Sequence, residues 1–285
     1  MKPAQVVKSL SVIETSITVS DTSSPVDLLS NETGLAKARI KDAMTKGAVW
    51  LKRSGKEKRV RRARFQLSAG DVISLYYDPD ILASSPPSPE LTSDKKDYSI
   101  WYKPAGLLSS GSRFGDHHAI DRWIEKNLDR PSFLVHRLDR FTSGLMVIAH
   151  KKSTAANLSQ QFQQRATRKV YQAIVVGELT ESKTIRIDLD GKRATSHVAP
   201  IESNERFTLV NVDIETGRKH QIRRHLAEIG YPVVGDRQYG RAHEFALQLV
   251  ATEIGFTCPN TSESLLFCLE AKQQLSLNLM AKLSL

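Results

Sequence analysis

Between positions 81 and 97 the chain carries Pro86, Pro87 and Pro89 among Ser84, Ser85, Ser88 and Ser93. Proline withholds backbone donors and serine adds nothing to a core, so this stretch reads as a stiff, polar linker. It requires the 285 residues to fold as two bodies, a small module over 14–80 and a larger domain over 98–285. Both have the composition of folded protein, at 40% hydrophobic and 25% charged residues overall. No apolar run approaches the roughly 18–20 residues that cross a bilayer. The first twenty residues lack the apolar core of a signal peptide. A cytoplasmic chain with no membrane partner is therefore expected. Two cysteines, Cys258 and Cys268, are too few for a disulfide framework or a four-ligand zinc site.

The formal charge is +10, and all of it is local. Between Lys37 and Arg64 stand twelve lysines and arginines against two acids, Asp42 and Glu57. Solubility alone needs no such concentration, whereas a phosphate backbone does. Lys37, Arg39, Lys41, Lys52, Arg61, Arg62 and Arg64 are the candidate contacts to a nucleic-acid backbone. Around them, Thr33 is placed to cap a helix over 35–46 that Gly47 ends. Ile40, Ala43 and Met44 share its inner face, and Lys37 and Lys41 share another. A strand over 48–52, a basic turn over 53–59 and a strand-like run to Tyr77 complete the module. The segments "KARIKDAMTKGAVWL" and "LSAGDVISL" resemble the S4 RNA-binding domain, with Ser54-Gly55-Lys56 where such domains often carry an Asn-Gly turn. The resemblance implies a small α/β module on structured RNA.

Beyond the linker, short strands are expected over 99–102, 145–149, 169–176, 207–214 and 249–256, with helices over 153–165 and 221–229. Adjacent strands often lack a crossover helix. That favours an α+β domain with a largely antiparallel mixed sheet flanked by helices.

Three segments of this domain carry the chemistry. In "HRLDRFTSGLMVIA", His136, Arg137 and Asp139 precede a polar turn and an apolar strand; Asp139 is either a catalytic carboxylate or a turn cap. In "RKVYQAIVVG", Tyr171 sits among aliphatic residues, where a core tyrosine is the commoner case. In "ETGRKHQIRRHLAEIGYPVVGDRQYG", Arg218, Lys219, His220, Arg223, Arg224 and His225 crowd the start of a helix. That is unfavourable unless an anion or a buried carboxylate meets them.

Taken together, "HRLD-x-x-TSGL" (136–145), "K-x-Y-x-A" (169–173), "TGR-x-HQIR-x-H" (216–225) and "G-x-P-x-x-GD-x-x-YG" (230–240) resemble the RluA-type RNA pseudouridine synthases. "KPAGLL" (103–108) resembles that family's opening motif. The resemblance spans about 98–285 and implies an isomerase with a central RNA-binding cleft. It implies Asp139 as the carboxylate acting on the nucleotide, Arg223 as the arginine pairing with it, and Tyr171 beside the uracil. Arg137 would fill the space left by an extruded base, and His136 would orient the loop. No cofactor and no metal are implied, because breaking the N1–C1′ bond and rejoining through C5 needs no redox step or external energy. Ribosomal RNA of the 23S type is the first expected substrate and transfer RNA the second. A monomer without an obligate protein partner is expected. A non-catalytic RNA-binding or assembly factor has no need of Asp139, Tyr171 and Arg223 together. A metal-dependent nuclease would gather several carboxylates, and none cluster in sequence near Asp139.

Overall fold

The computed structural model describes residues 11–85, 87–240 and 245–278. They fall into two compact units, one drawn from Met1–Pro86 and Ser110–Arg122, the other from Pro87–Ser109 and Trp123–Leu285.

The first unit runs β1 (Ile13–Thr18), α1 (Pro25–Thr33), α2 (Lys37–Thr45), β2 (Val49–Arg53), β3 (Lys56–Arg59), β4 (Val72–Tyr77) and α3 (Pro79–Ala83). Its four strands form an antiparallel sheet in the order β1-β4-β2-β3. Ile40, Ala43 and Met44 of α2 are buried against it with Leu29, Leu51, Ile73 and Leu75, as the i, i+3, i+4 spacing requires. Two local expectations fail here. Thr33 does not cap α2. It closes α1, an unanticipated helix, where its Oγ1 donates to the Leu29 carbonyl at 2.6 Å. Gly34 then ends α1 in a left-handed conformation, φ 70°. The basic turn over 53–59 is a hairpin. Ser54 and Gly55 both take positive φ, 50° and 76°, the geometry that a two-residue turn between twisted strands demands.

The segment Ser110–Arg122 groups with this unit rather than with the larger domain in which the sequence reading placed it. Asp116 is the reason. Its buried carboxylate takes both terminal nitrogens of Arg61, one of them at 3.0 Å, and Arg59 Nε at 3.3 Å.

The remaining elements are β5 (Glu90–Asp94), β6 (Tyr98–Lys103), α4 (Ile120–Leu128), β7 (Phe133–Leu134), β8 (Ser143–Ala149), α5 (Lys152–Gln163), β9 (Arg168–Val176), β10 (Lys183–Ile185), β11 (Ser196–Ser203), β12 (Phe207–Ile214), α6 (Gln221–Glu228), β13 (Leu249–Thr257) and β14 (Ser264–Cys268). Ten of these strands form one sheet in the order β10-β11-β12-β9-β13-β8-β6-β5, with β14 on β13 and β7 on β8. Among the described residues only β8 and β13 run parallel, so the α+β, largely antiparallel class holds. The expected linker is shorter than 81–97. Its start belongs to α3, and Glu90–Asp94 pairs with β6 as the edge strand β5.

One glycine decides where the site lies. Gly144 opens β8 at φ 117°, and a Cβ there would meet the Ala251 carbonyl oxygen at 2.3 Å. Its absence lets β8 begin against β13. Gly144, Ala251, Tyr171 and Val212 then stand in one row across four strands. The tyrosine of β9 is thereby brought beside the loop that enters β8.

Candidate active site

That loop, 135–142, is held from beneath by the opening motif. Ser109 Oγ donates to the Leu138 carbonyl at 2.7 Å and accepts from Leu138 N at 3.0 Å. Gly106 N donates to the Arg140 carbonyl at 2.8 Å. Lys103 is fully buried and donates from Nζ to the carbonyls of Leu107 (2.8 Å), Arg140 (3.2 Å) and Pro104 (3.2 Å). Burial pushes its ammonium down to about 7, with the charge of Asp139 opposing. At the loop's start, His136 Nε2 accepts from Val147 N at 3.0 Å and its ring stacks on Phe162 at 4.5 Å. These contacts fix the ring between β8 and α5.

Burial pushes His136 down to about 3. The unfolded chain takes that proton near 6.5, so between these values it binds more protons than the fold and stability falls as pH falls. The acid loss is expected to shrink by about 1–3 kcal/mol in His136→Gln, which keeps an acceptor but does not titrate. Urea unfolding of both proteins between pH 7 and pH 4 checks this, and identical acid limbs would refute it.

The turn after Asp139 is closed by its backbone, Thr142 N donating to the Asp139 carbonyl at 3.2 Å. Among the described residues its side chain accepts no hydrogen bond from the turn, which disposes of the turn-cap alternative. The carboxylate, 24% exposed, opens into a cavity of about 340 Å³ lined also by Arg137, Thr142, Tyr171, His220, Arg223 and Leu249. Tyr171 is buried on the cavity wall. Burial and the nearby Asp139 charge push its phenol well above the usual tyrosine range, so it keeps its proton. Arg137 is exposed and lines the same cavity.

The opposite wall comes from the turn into α6. Gln221 and His225, four apart, face the sheet. Gln221 accepts from Thr216 Oγ1 at 2.7 Å and Arg218 N at 3.1 Å, and donates to the Thr195 carbonyl at 2.9 Å. His225 is hydrogen-bonded to Ser196 Oγ and the Ile187 carbonyl. These anchors turn His220 and Arg223, three apart, towards Asp139. His220 caps the helix at φ 53°. Its Nδ1 is 2.9 Å from Tyr239 Oη and its Nε2 is 3.8 Å from Asp139 Oδ1. Burial lowers its pKa against the pull of Asp139, so the ring is neutral at pH 7.

Arg223 reaches this cavity but does not bond Asp139 as the resemblance implied. Its Nε and Nη2 each donate to Asp236 at 2.7 Å, a buried bidentate pair. Its guanidinium also lies 5.0 Å from the Tyr239 ring centroid. Asp236 accepts from Gln238 N and Tyr239 N as well. Burial pushes its carboxyl up, but these donors outweigh burial and hold it below the usual range. Asp236 is therefore the buried carboxylate that the crowding of cations at α6 demanded; Arg224 finds Asp190 at 3.0 Å.

The candidate RNA contacts of the first unit divide. Lys41, Lys52, Arg62 and Arg64 stand exposed. Lys37 pairs with Asp27 at 2.6 Å, Arg39 donates to Tyr77 Oη at 3.1 Å, and Arg61 is spent on Asp116. Sequence reasoning missed Lys103, Ser109, His220, Asp236 and Tyr239 as working parts. All but Ser109 lie in motifs that were visible, but a motif does not show which member faces the cavity.

A carboxylate, a protonated tyrosine and an arginine around one nucleoside-sized cavity suit chemistry on a flipped base. The family model for RNA pseudouridylate synthase matches residues 97–228. An uncharacterized RNA pseudouridine synthase of Aquifex aeolicus is 30% identical over 275 residues, covering 82% of this chain and 85% of its own length. The ribosomal large subunit pseudouridine synthase C of Vibrio vulnificus is 30% identical over 275 residues, covering 80% and 82%. The solved structure of human RNA pseudouridylate synthase domain containing 1 superposes with a TM-score of 0.57 at 19% identity, covering 70% of this chain and 97% of that one. The chain belongs to the RluA-type family of RNA pseudouridine synthases. It is an isomerase that acts on uridine in RNA.

Proposed function

We propose that this enzyme isomerises one or more uridines of ribosomal RNA, of the 23S type, with Asp139 acting directly on the nucleotide and no cofactor. The observation that carries the assignment is the carboxylate of Asp139, which accepts no hydrogen bond among the described residues and shares one cavity with Tyr171, His220 and Arg223. In the reaction the N1–C1′ bond breaks, the base turns, and a C5–C1′ bond forms. The proton leaves C5 and N1 gains one, so atoms and electrons balance within the nucleotide and solvent.

In this reading each neighbour of Asp139 has a task. Arg223, fixed by Asp236, lends positive potential without neutralising the carboxylate through a direct bond. Tyr171 keeps its proton, so it packs on the uracil and passes on the C5 proton only if another group accepts its own. Arg137, at the cavity and exposed, fills the gap that an extruded uridine leaves in its stem, or holds a phosphate. Lys41, Lys52, Arg62 and Arg64 supply salt-sensitive affinity for the RNA backbone. The name of the Vibrio vulnificus relative supports the ribosomal choice.

The test is pseudouridine mapping of total RNA from cells with and without the gene, complemented by wild type or Asp139→Ala. A ribosomal uridine is expected to lose its modification in the deletion and to regain it with wild type only. Changes confined to transfer RNA would overturn the ribosomal assignment. Equal restoration by Asp139→Ala would overturn the catalytic one.

A further inference from the structure

Next to the Asp139 cavity lies a second, of about 620 Å³. Asp139, His220 and Arg223 line both. The further lining of the second cavity includes Phe141, Phe245 and Leu247, with Arg140 and Arg237, and Asp236, whose charge Arg223 holds. Phe141 is 56% exposed, although it is a large apolar side chain two residues from Asp139. The Arg140 guanidinium stands 5.2 Å from its ring centroid. Beyond that contact with Arg140 in the same turn, no other ring or cation meets Phe141 among the described residues, and an aromatic surface left to water costs free energy unless something covers it in the working complex.

The substrate says what covers it. A uridine set against Asp139 is joined by a phosphodiester to a nucleotide on either side. Pulling it from its stem also unstacks its neighbours, whose faces need a new surface. Exposed aromatics bordered by cations meet that need, the ring taking the base and the cation the phosphate. We propose that the second cavity receives the base of the nucleotide adjoining the target uridine, stacked on Phe141, with its phosphate towards Arg140 and Arg237. The inference rests on the reading of Asp139 as the reacting centre. It makes Phe141 a positioning residue for the substrate and a source of selectivity next to the modified position.

The experiment uses the full-length protein and a stem–loop RNA that carries the mapped uridine, with matched RNAs lacking the base on its 5′ or 3′ side. Single-turnover rates are measured against enzyme concentration for wild type, Phe141→Ala, Phe141→Leu and Phe141→Trp. Phe141→Ala is expected to raise the half-saturating concentration about tenfold, with the saturated rate within about threefold of wild type. Phe141→Trp should rescue binding and Phe141→Leu should not. One of the two abasic RNAs should cost wild type the same roughly tenfold and cost Phe141→Ala nothing further. Rescue by leucine, or losses that simply add, would overturn the subsite while leaving Asp139 in place. Failure of wild type to convert the intact stem–loop would overturn the Asp139 reading, and the subsite with it.

Discussion

Replacing Asp139 with asparagine is expected to lower pseudouridine formation by roughly 10⁴-fold or more, the scale of losing the group that acts on the substrate. Asparagine keeps the shape and removes the charge. Of the residues lining the first cavity, Asp139 is the one acid, and the second cavity adds only Asp236, already held by Arg223. Among the described residues no other carboxylate lines either cavity. Folding should be little affected, because the turn is closed by backbone and the loop is anchored through Leu138 and Arg140. The unfolding free energy is expected to stay within about 1 kcal/mol of wild type. Nucleoside mass spectrometry after incubation with RNA from deletion cells reads the first quantity and urea unfolding the second. Activity within tenfold of wild type would remove Asp139 from its role.

The second large effect falls on stability. Asp236→Ala leaves a buried guanidinium without its two 2.7 Å hydrogen bonds and strips the acceptor from Gln238 N and Tyr239 N. Breaking one side of a buried pair costs about 3–5 kcal/mol. For a unit of this size that corresponds to a fall in Tm of roughly 6–20 °C. The double substitution Arg223→Met with Asp236→Leu removes both charges and should recover part of the loss, though not the activity. Calorimetry separates these outcomes. A single variant that melts with wild type would mean the pair is not buried in solution.

The contrast between Asp139 and Asp236 shows where the sequence stopped being informative. Both follow motif residues and both are separated from Arg223 by intervening chain. Which one bonds it depends on the turn at Gly235 and the pitch of α6, and no spacing rule reports that. Strands with strong apolar patterning were legible almost to the residue: β12 falls on the expected 207–214, and β9 and β13 within one residue of theirs. β5 was not, because an exposed edge strand of composition Glu-Leu-Thr-Ser-Asp has no apolar alternation and sits beside prolines. Lys103 stands in sequence at the end of an apolar run, and only the three carbonyls around it explain its burial. Asp116 pairs with Arg59 and Arg61, more than fifty residues away in sequence, and the segment that carries it groups with the other unit.

The central claim is that Asp139 drives an isomerisation in which C5 of uridine gives up its proton and the RNA chain stays whole. The most direct measurement is release of tritium to solvent from RNA carrying [5-³H]uridine, with the RNA sized before and after. Wild type is expected to release label in step with pseudouridine formed, leave RNA length unchanged, and lose both products in Asp139→Asn. Release that persists in Asp139→Asn, or RNA that is shortened by wild type, would contradict the account.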